Sequence, residues 1–405
     1  MDFIIKNIGV LATPEGVSAK SGKDQSQIRV IKNAVVGVAG GKIAYVGDTL
    51  VPAKAELDAG GRLVTPGLVD AHTHLIFGGY RQNELPAKLA GVTYLDILKA
   101  GGGIHSTVSA TRDATVVELY HKAWRILDQM LVHGTTTAEA KSGYGLDKET
   151  ELKQLSVAAA LHKEHSVDLV STFMGAHAVP HEYRADPMHY VSFLVNDMLG
   201  IVARKKLAEF CDIFCEDGAF SIEQSRWILD HAKDYGFGVK IHGDEVTPMG
   251  GAALAAELGA LSAEHLIEAD DAGLAAMAKA GVIAVLLPAT SFYLDKSYAR
   301  ARDMVGMGVA VALGSDFNPG SSPNYNMQFV LTLACLKLKL SPAEALTAAT
   351  LNAAAAIKRS HSKGSIEAGK DADMVIWDCP DLDFLFYRYG NNQVHKVVKN
   401  GRLVV

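Results

Sequence analysis

Two histidines separated by one residue close the run Pro66-Gly67-Leu68-Val69-Asp70-Ala71-His72-Thr73-His74. The residues before them are few and apolar, the pattern of a short buried strand. Side chains alternate faces along a strand, so His72 and His74 point one way and Thr73 the other, about 7 Å apart at the backbone. Two imidazoles so placed can converge on one metal ion. The pattern also arises by chance, as two histidines satisfied by ordinary hydrogen bonds, so further ligands must decide its meaning.

Two further ligands stand at the ends of later apolar segments. His242 closes Gly238-Val239-Lys240-Ile241-His242, where apolar and polar residues alternate. Asp316 closes Ala310-Val311-Ala312-Leu313-Gly314-Ser315-Asp316, a run that cannot receive a carboxylate without a cation or hydrogen-bond donors. Three imidazoles and one carboxylate suit zinc or ferrous iron and leave room for a water. Each residue alone reads equally as a buried, hydrogen-bonded polar group. The four together favour the metal.

Glu245, on the loop after His242, and His265, in Ser262-Ala263-Glu264-His265-Leu266, are the candidate proton handlers. Their plain alternatives are a carboxylate at a helix N-terminus before Pro248 and a core histidine. His177, in Gly175-Ala176-His177-Ala178-Val179-Pro180, shares the strand-end context. Arg81, in Gly78-Gly79-Tyr80-Arg81, would bind a carboxylate bidentately if it faces the site, and is a solvated loop arginine otherwise. The stretch from Ser315 to Ser322 offers N–H groups and hydroxyls suited to an anion. Gly101-Gly102-Gly103-Ile104-His105 lacks the lysine and the preceding strand of a phosphate loop, and reads as a flexible lid.

These residues need a frame that brings them together. Candidate strands at 68–74, 136–141, 169–174, 211–214, 239–242, 261–265, 282–287 and 309–314 alternate with Ala- and Leu-rich helical stretches at 149–165, 222–235, 250–258 and 270–280. Eight such strands argue for an α/β fold of the (β/α)8 TIM-like barrel type, with an open doubly wound sheet as runner-up. In a barrel the chemistry belongs after the C-terminal ends of the strands, where His72, His74, Tyr144, His177, Glu216, His242, Glu245, His265 and Asp316 all fall. A further helix is expected over 342–357. Both chain ends read as β structure, with turn signals at Gly40-Gly41 and Asn400-Gly401, and the polar stretch 19–27 is expected to be a mobile loop. Neither end buries a sheet face alone, so residues 1–63 and 360–405 are expected to form one small β-sandwich domain beside a barrel at 64–359.

The chain has 405 residues, a formal charge of −6 and 49% hydrophobic content, a composition for a large soluble core. That charge and the lack of a Lys/Arg block argue against nucleic acid and anionic membrane as partners. The N-terminus opens as Met1-Asp2-Phe3-Ile4-Ile5-Lys6, without a basic leader, and no apolar run is long enough to span a bilayer. Cys211, Cys215, Cys335 and Cys379 are too few and scattered for a disulfide framework, so a reducing, cytoplasmic setting is expected.

The opening motif, His242 and the final Gly314-Ser315-Asp316 resemble the amidohydrolase superfamily of metal-dependent barrel hydrolases. Within it, the runs from His74 to Arg81, Ala140 to Gly145, Gly175 to Pro180, His242 to Glu245 and Gly314 to Gly320 resemble the imidazolonepropionase family across essentially the whole chain. The resemblance implies one metal ion, zinc or iron, on His72, His74, His242 and Asp316. The sequence Phe214-Cys215-Glu216-Asp217 offers no lysine for a second. It implies that Arg81 binds the substrate's propionate, that Tyr144 and His177 contact substrate, and that Asn318, Gly320 and Ser321 hold the product's glutamate portion. Glu245 is the residue associated with activating water and His265 with polarising the ring carbonyl; Glu245 or Asp316 accepts the water's proton, and Asp316 is the expected group to return one to the leaving nitrogen. The implied reaction is hydrolysis of 4-imidazolone-5-propanoate, a small carboxylate-bearing substrate, to N-formimidoyl-L-glutamate by a homodimer. A heterocyclic-amine deaminase of the same superfamily, or a non-catalytic scaffold on the same barrel, remains the alternative. Glu216 carries no role.

Overall fold

The computed structural model describes residues 1–92 and 102–405. Gly101 of the glycine run lies outside the described residues. Gly102 and Gly103 lead straight into a helix, Ile104–Asp113.

The two chain ends build one mixed sheet. Its strands are β1 (Phe3–Thr13), β2 (Arg29–Ala39), β3 (Lys42–Gly47), β4 (Ala55–Asp58) and β5 (Leu63–Pro66), completed from the far end of the chain by strands at Met374–Trp377, Val394–Lys399 and Arg402–Leu403. Gly40 and Gly41, with φ of 57° and 77°, turn β2 into β3; Asn400 and Gly401, at 48° and 72°, turn the last hairpin. Two successive positive φ values are what a tight hairpin turn demands. Alternate residues such as Ile5, Ile8, Val36, Val64, Met374, Ile376 and Val398 meet in one apolar cluster.

The barrel strands follow in chain order: β6 (Leu68–Asp70), β7 (Thr135–Lys141), β8 (Asp168–Ala176), β9 (Phe210–Cys215), β10 (Gly238–Gly243), β11 (Ser262–His265), β12 (Ile283–Leu286) and β13 (Val311–Leu313). Each pairs in parallel with the next. All eight expected strands are present, but the first and last are shorter than the apolar runs suggested. The Asp70 carboxylate explains where β6 stops, because it accepts the N–H of His72 and both the N–H and the hydroxyl of Ser315. Residues 71–74 then serve as the seam of the ring. His72 O accepts the N–H of Asp316 at 3.0 Å, His74 N–H donates to Phe317 O at 2.9 Å, and Thr73 bridges Phe317. That seam closes the barrel and removes the open-sheet alternative.

The expected helices run Lys148–Glu164, Ile222–Asp234, Gly251–Leu258 and Asp271–Ala280. Side chains of Asp147, Ser221 and Asp270 cap three of their N-termini, as such residues do.

Two expectations fail. The helix over 342–357 is broken into Pro342–Ala348 and Leu351–Ala356, because the Ala349 carbonyl turns to accept the N–H of Val69 at the start of the barrel. The polar stretch 19–27 is fastened to the barrel rather than free. Gln25 is fully buried, its amide pairing with both the N–H and the carbonyl of Val311, while Asn352 exchanges two bonds with Lys20. A buried side-chain amide thus completes the ladder at the edge of β13. The four cysteines are unpaired. No helix among the described residues is long and apolar enough to cross a membrane.

Candidate metal centre and its surroundings

At the C-terminal mouth of the barrel, His72, His74 and His242 aim ring nitrogens at one point, with the three ligand atoms within 4.8 Å of one another. The Nε2 atoms of His74 and His242 are 3.4 Å apart, and Asp316 Oδ1 lies 3.5 Å from His72 Nε2 and 3.6 Å from His74 Nε2. Ligands 2.0–2.1 Å from a tetrahedral ion stand about 3.4 Å from each other, so these are the separations of a coordination shell. His72 is completely buried, yet its Nε2 has no hydrogen-bond partner. A cation would satisfy that atom, and the residues present therefore fit a divalent metal. Burial first, and then neighbouring cationic groups, hold His72 and His74 well below the ordinary histidine range, which keeps them in the neutral, ligating form.

The groups that could move protons gather beside these four. Burial pushes Asp316 up to about 6, although its Oδ2 accepts the Thr290 hydroxyl at 2.5 Å. Burial also pushes Glu245 up to about 7, and its Oε2 is 3.6 Å from His265 Nε2. His265 is kept neutral by burial, with its pKa pushed down to about 3. Its φ of 69°, followed by 57° at Leu266, lies in the left-handed region, a strained placement that the strand end imposes in aiming the ring at the mouth.

The remaining sequence candidates line the same mouth. His177 stacks on His74 with ring centroids 4.9 Å apart and places Nδ1 3.1 Å from the Gly143 carbonyl. The Tyr144 ring is 5.9 Å from that of His74 and 5.2 Å from that of His177. Arg81 is largely buried, not a solvated loop residue, and its guanidinium presses on Gly320. The loop after Asp316 differs from the open anion cradle expected of it. Asn318 Oδ1 accepts the N–H groups of Gly320 and Ser321, and its amide donates to Asp316 O and Ser321 Oγ, so the loop is closed on its own asparagine.

Comparison with known proteins follows the same direction. Two models described as amidohydrolase family match residues 55–99 and 213–404. The chain is 50% identical over its whole length to the imidazolonepropionase of Alkaliphilus metalliredigens, covering 98% of that protein, and 50% identical to that of Bacillus velezensis, covering 97%. The Streptococcus pyogenes imidazolonepropionase is 48% identical over 95% of this chain and 93% of its own. The chain belongs to the imidazolonepropionase family. Among solved structures, guanine deaminase from C. acetobutylicum superposes with a TM-score of 0.73 at 17% identity, covering 99% of each chain. The zinc complex of atrazine chlorohydrolase TrzN from Arthrobacter aurescens TC1 superposes with 0.70 at 18%, covering 100% of this chain and 95% of its own. These two share the fold.

In this member of the imidazolonepropionase family, the barrel interior beneath the metal centre is ionic, a feature the sequence reading missed. His72 Nδ1 lies 2.6 Å from Glu264 Oε2, and His242 Nδ1 lies 3.1 Å from Asp212 Oδ2. Lys141 Nζ sits 2.6 Å from Asp212 and 2.9 Å from Glu139, while Lys240 Nζ is 2.8 Å from Glu139 and 3.5 Å from Glu264. All five charged side chains are fully buried. Burial opposes the Asp212 charge, but His242 and Lys141 beside it hold its carboxyl well below the usual range. Burial likewise opposes the Lys141 charge, and Asp212, Glu139 and Glu264 outweigh it. Two carboxylates fixed in this way hold the Nδ1 side of both imidazoles and leave Nε2 as the atom that would face a metal ion. A sequence signal did exist. In β7, β10 and β11, the pairs Glu139 and Lys141, Lys240 and His242, and Ser262 and Glu264 each occupy alternate positions and so share one face of their strand.

Proposed function

We infer that this chain hydrolyses the ring amide of 4-imidazolone-5-propanoate to N-formimidoyl-L-glutamate. The observation that carries the reading is the gathering of three imidazole nitrogens within 4.8 Å of one another, with a carboxylate oxygen 3.5 and 3.6 Å from two of them, in a chain half identical to imidazolonepropionases from end to end.

His72, His74, His242 and Asp316 would hold the ion, zinc or iron. When bound, it supplies a water acidic enough to ionise near neutrality and a Lewis acid for the carbonyl. Glu245, raised to about 7, takes a proton on its carboxylate, and neutral His265 donates a ring N–H to the carbonyl oxygen. Asp316 would accept the second proton of the attacking water and pass it to the departing ring nitrogen as the C–N bond breaks, while Glu245 returns its proton to solvent. Arg81 pairs with the propionate. Tyr144 and His177 flank the ring, and Asn318, Gly320 and Ser321 wall the glutamate end. We further assign catalysis to residues 64–359 and a supporting role to residues 1–63 with 360–405, β5 being the joint.

The test is turnover of imidazolonepropionate by protein whose metal content is measured on the same sample. Guanine and cytosine serve as competing substrates. Absence of turnover by metal-loaded protein, or ammonia release from a base, defeats the reading.

A further inference from the structure

Glu216 follows β9 and belongs neither to the ligand shell nor to the buried ion network. It is 3% exposed, and its carboxylate faces the loop that carries Glu245. Oε2 accepts the N–H of Glu245 at 3.1 Å and that of Val246 at 2.9 Å. Oε1 accepts the N–H of Thr247 at 3.1 Å, the Thr247 hydroxyl, and the N–H of its own neighbour Asp217 at 3.1 Å. Three consecutive backbone donors therefore converge on one carboxylate, an anion-binding concavity filled by the chain's own side chain.

The segment so held has few other ties, among them Glu268 N–H to Asp244 O at 2.7 Å and Met249 N–H to Thr247 O at 2.9 Å. Residues 244–250 form no helix or strand, and Val246 is 64% exposed. The far end is tied by Asp244, whose carboxylate accepts the N–H groups of Gly250, Gly251 and Ala252. Between these points, the three N–H groups of residues 245–247 go to Glu216, and Pro248 has none to give. The place where the Glu245 side chain leaves the backbone is thus set from a different barrel strand.

We propose that Glu216 is the positioning residue for Glu245, holding the backbone at residues 245–247 so that the Glu245 carboxylate stands against His265. The inference rests on the reading of Glu245 as the proton acceptor. Two oxygens are needed, because Oε1 and Oε2 each take separate donors. Glutamine keeps the size but turns one oxygen into an amide whose N–H bonds meet the backbone N–H groups head-on.

The experiment compares wild type, Glu216→Gln, Glu245→Gln and the double variant, all metal-loaded, on imidazolonepropionate. Glu216→Gln is expected to lower kcat roughly 10- to 100-fold, the scale of a misplacement of about 1 Å, with metal content unchanged. KM should move less than about threefold, and the double variant should match Glu245→Gln within about twofold, since Glu216 acts only through Glu245. A kcat within about twofold of wild type, or losses that multiply in the double variant, overturns the proposal. Thr247→Val, which removes only one donor to Glu216, keeps the question open to measurement if Glu216→Gln does not fold. It should lower kcat several-fold at constant KM, and an unchanged kcat counts against the proposal. Inactive wild type would instead sink the functional reading, a result distinct from an active wild type beside an unaffected Glu216→Gln.

Discussion

Replacing Gly320 by alanine would displace Arg81 without altering it. A Cβ built on Gly320 falls 1.0 Å from Arg81 Nη2, 2.1 Å from Cζ and 2.6 Å from Nε, and these are its three nearest neighbours. Gly320 is not among the residues with positive φ, so its backbone accepts alanine. All three of these atoms belong to the guanidinium of one flexible side chain, and the fold should be kept. Restoring an ordinary contact requires the guanidinium to retreat by about 2.5 Å. If Arg81 holds the substrate's carboxylate, that retreat removes a charge-assisted pair worth about 1.5–3 kcal/mol. The loss corresponds to roughly 10- to 150-fold in kcat/KM, carried by KM because the contact is made in ground and transition states alike. Initial rates against imidazolonepropionate concentration measure it, with Arg81→Met as the reference for complete loss. Gly320→Ala should lose no more than Arg81→Met, and the double variant should add nothing. A KM within about twofold of wild type would show that the Arg81 guanidinium does not bind substrate from this position.

Three further outcomes follow from the barrel interior. Asp212→Asn and Glu264→Gln, which leave the ligands in place, should each weaken metal binding roughly 10- to 100-fold in competition with a chelator, and unchanged affinity would refute the orienting role. Chelation should abolish turnover, and restoring zinc or ferrous ion should recover it; an active metal-free protein would count against the four-residue shell. Lys141→Met leaves Asp212 and Glu139 buried without their shared cation, so it should cost about 3–5 kcal/mol, read as a lowered urea midpoint. A midpoint equal to wild type would mean that the carboxylates are neutral.

The architecture was readable because it depends on local patterns. Strand-like runs at regular spacing, Gly40-Gly41 and Asn400-Gly401 each report on their own neighbourhood, and residues at strand ends share the barrel mouth once a barrel is accepted. Where sequence reading failed, the deciding partner was remote. Nothing near Glu139 and Lys141 in the sequence names their partners, and only the register across β7 to β11 reveals that Asp212, Lys240 and Glu264 neutralise them. Gln25 looked like part of a polar loop because its partner Val311 lies at the opposite end of the barrel sequence. The helix over 342–357 had good local propensity throughout, and it breaks because Val69 claims the Ala349 carbonyl. Glu216 had no visible purpose until the N–H groups of residues 245–247 were seen to point at it.

The strand Leu63–Pro66 is clasped between β1 and Met374–Trp377, with Pro66, Thr65 and Val64 opposite Met374, Val375 and Ile376. Its very next residues lead into the histidine pair. On the ribosome, one flank of that strand must therefore wait, bare, until the whole hydrolase body has emerged. A message ending before Met374 would yield a sticky ribbon with unpaired amides rather than a trimmed enzyme.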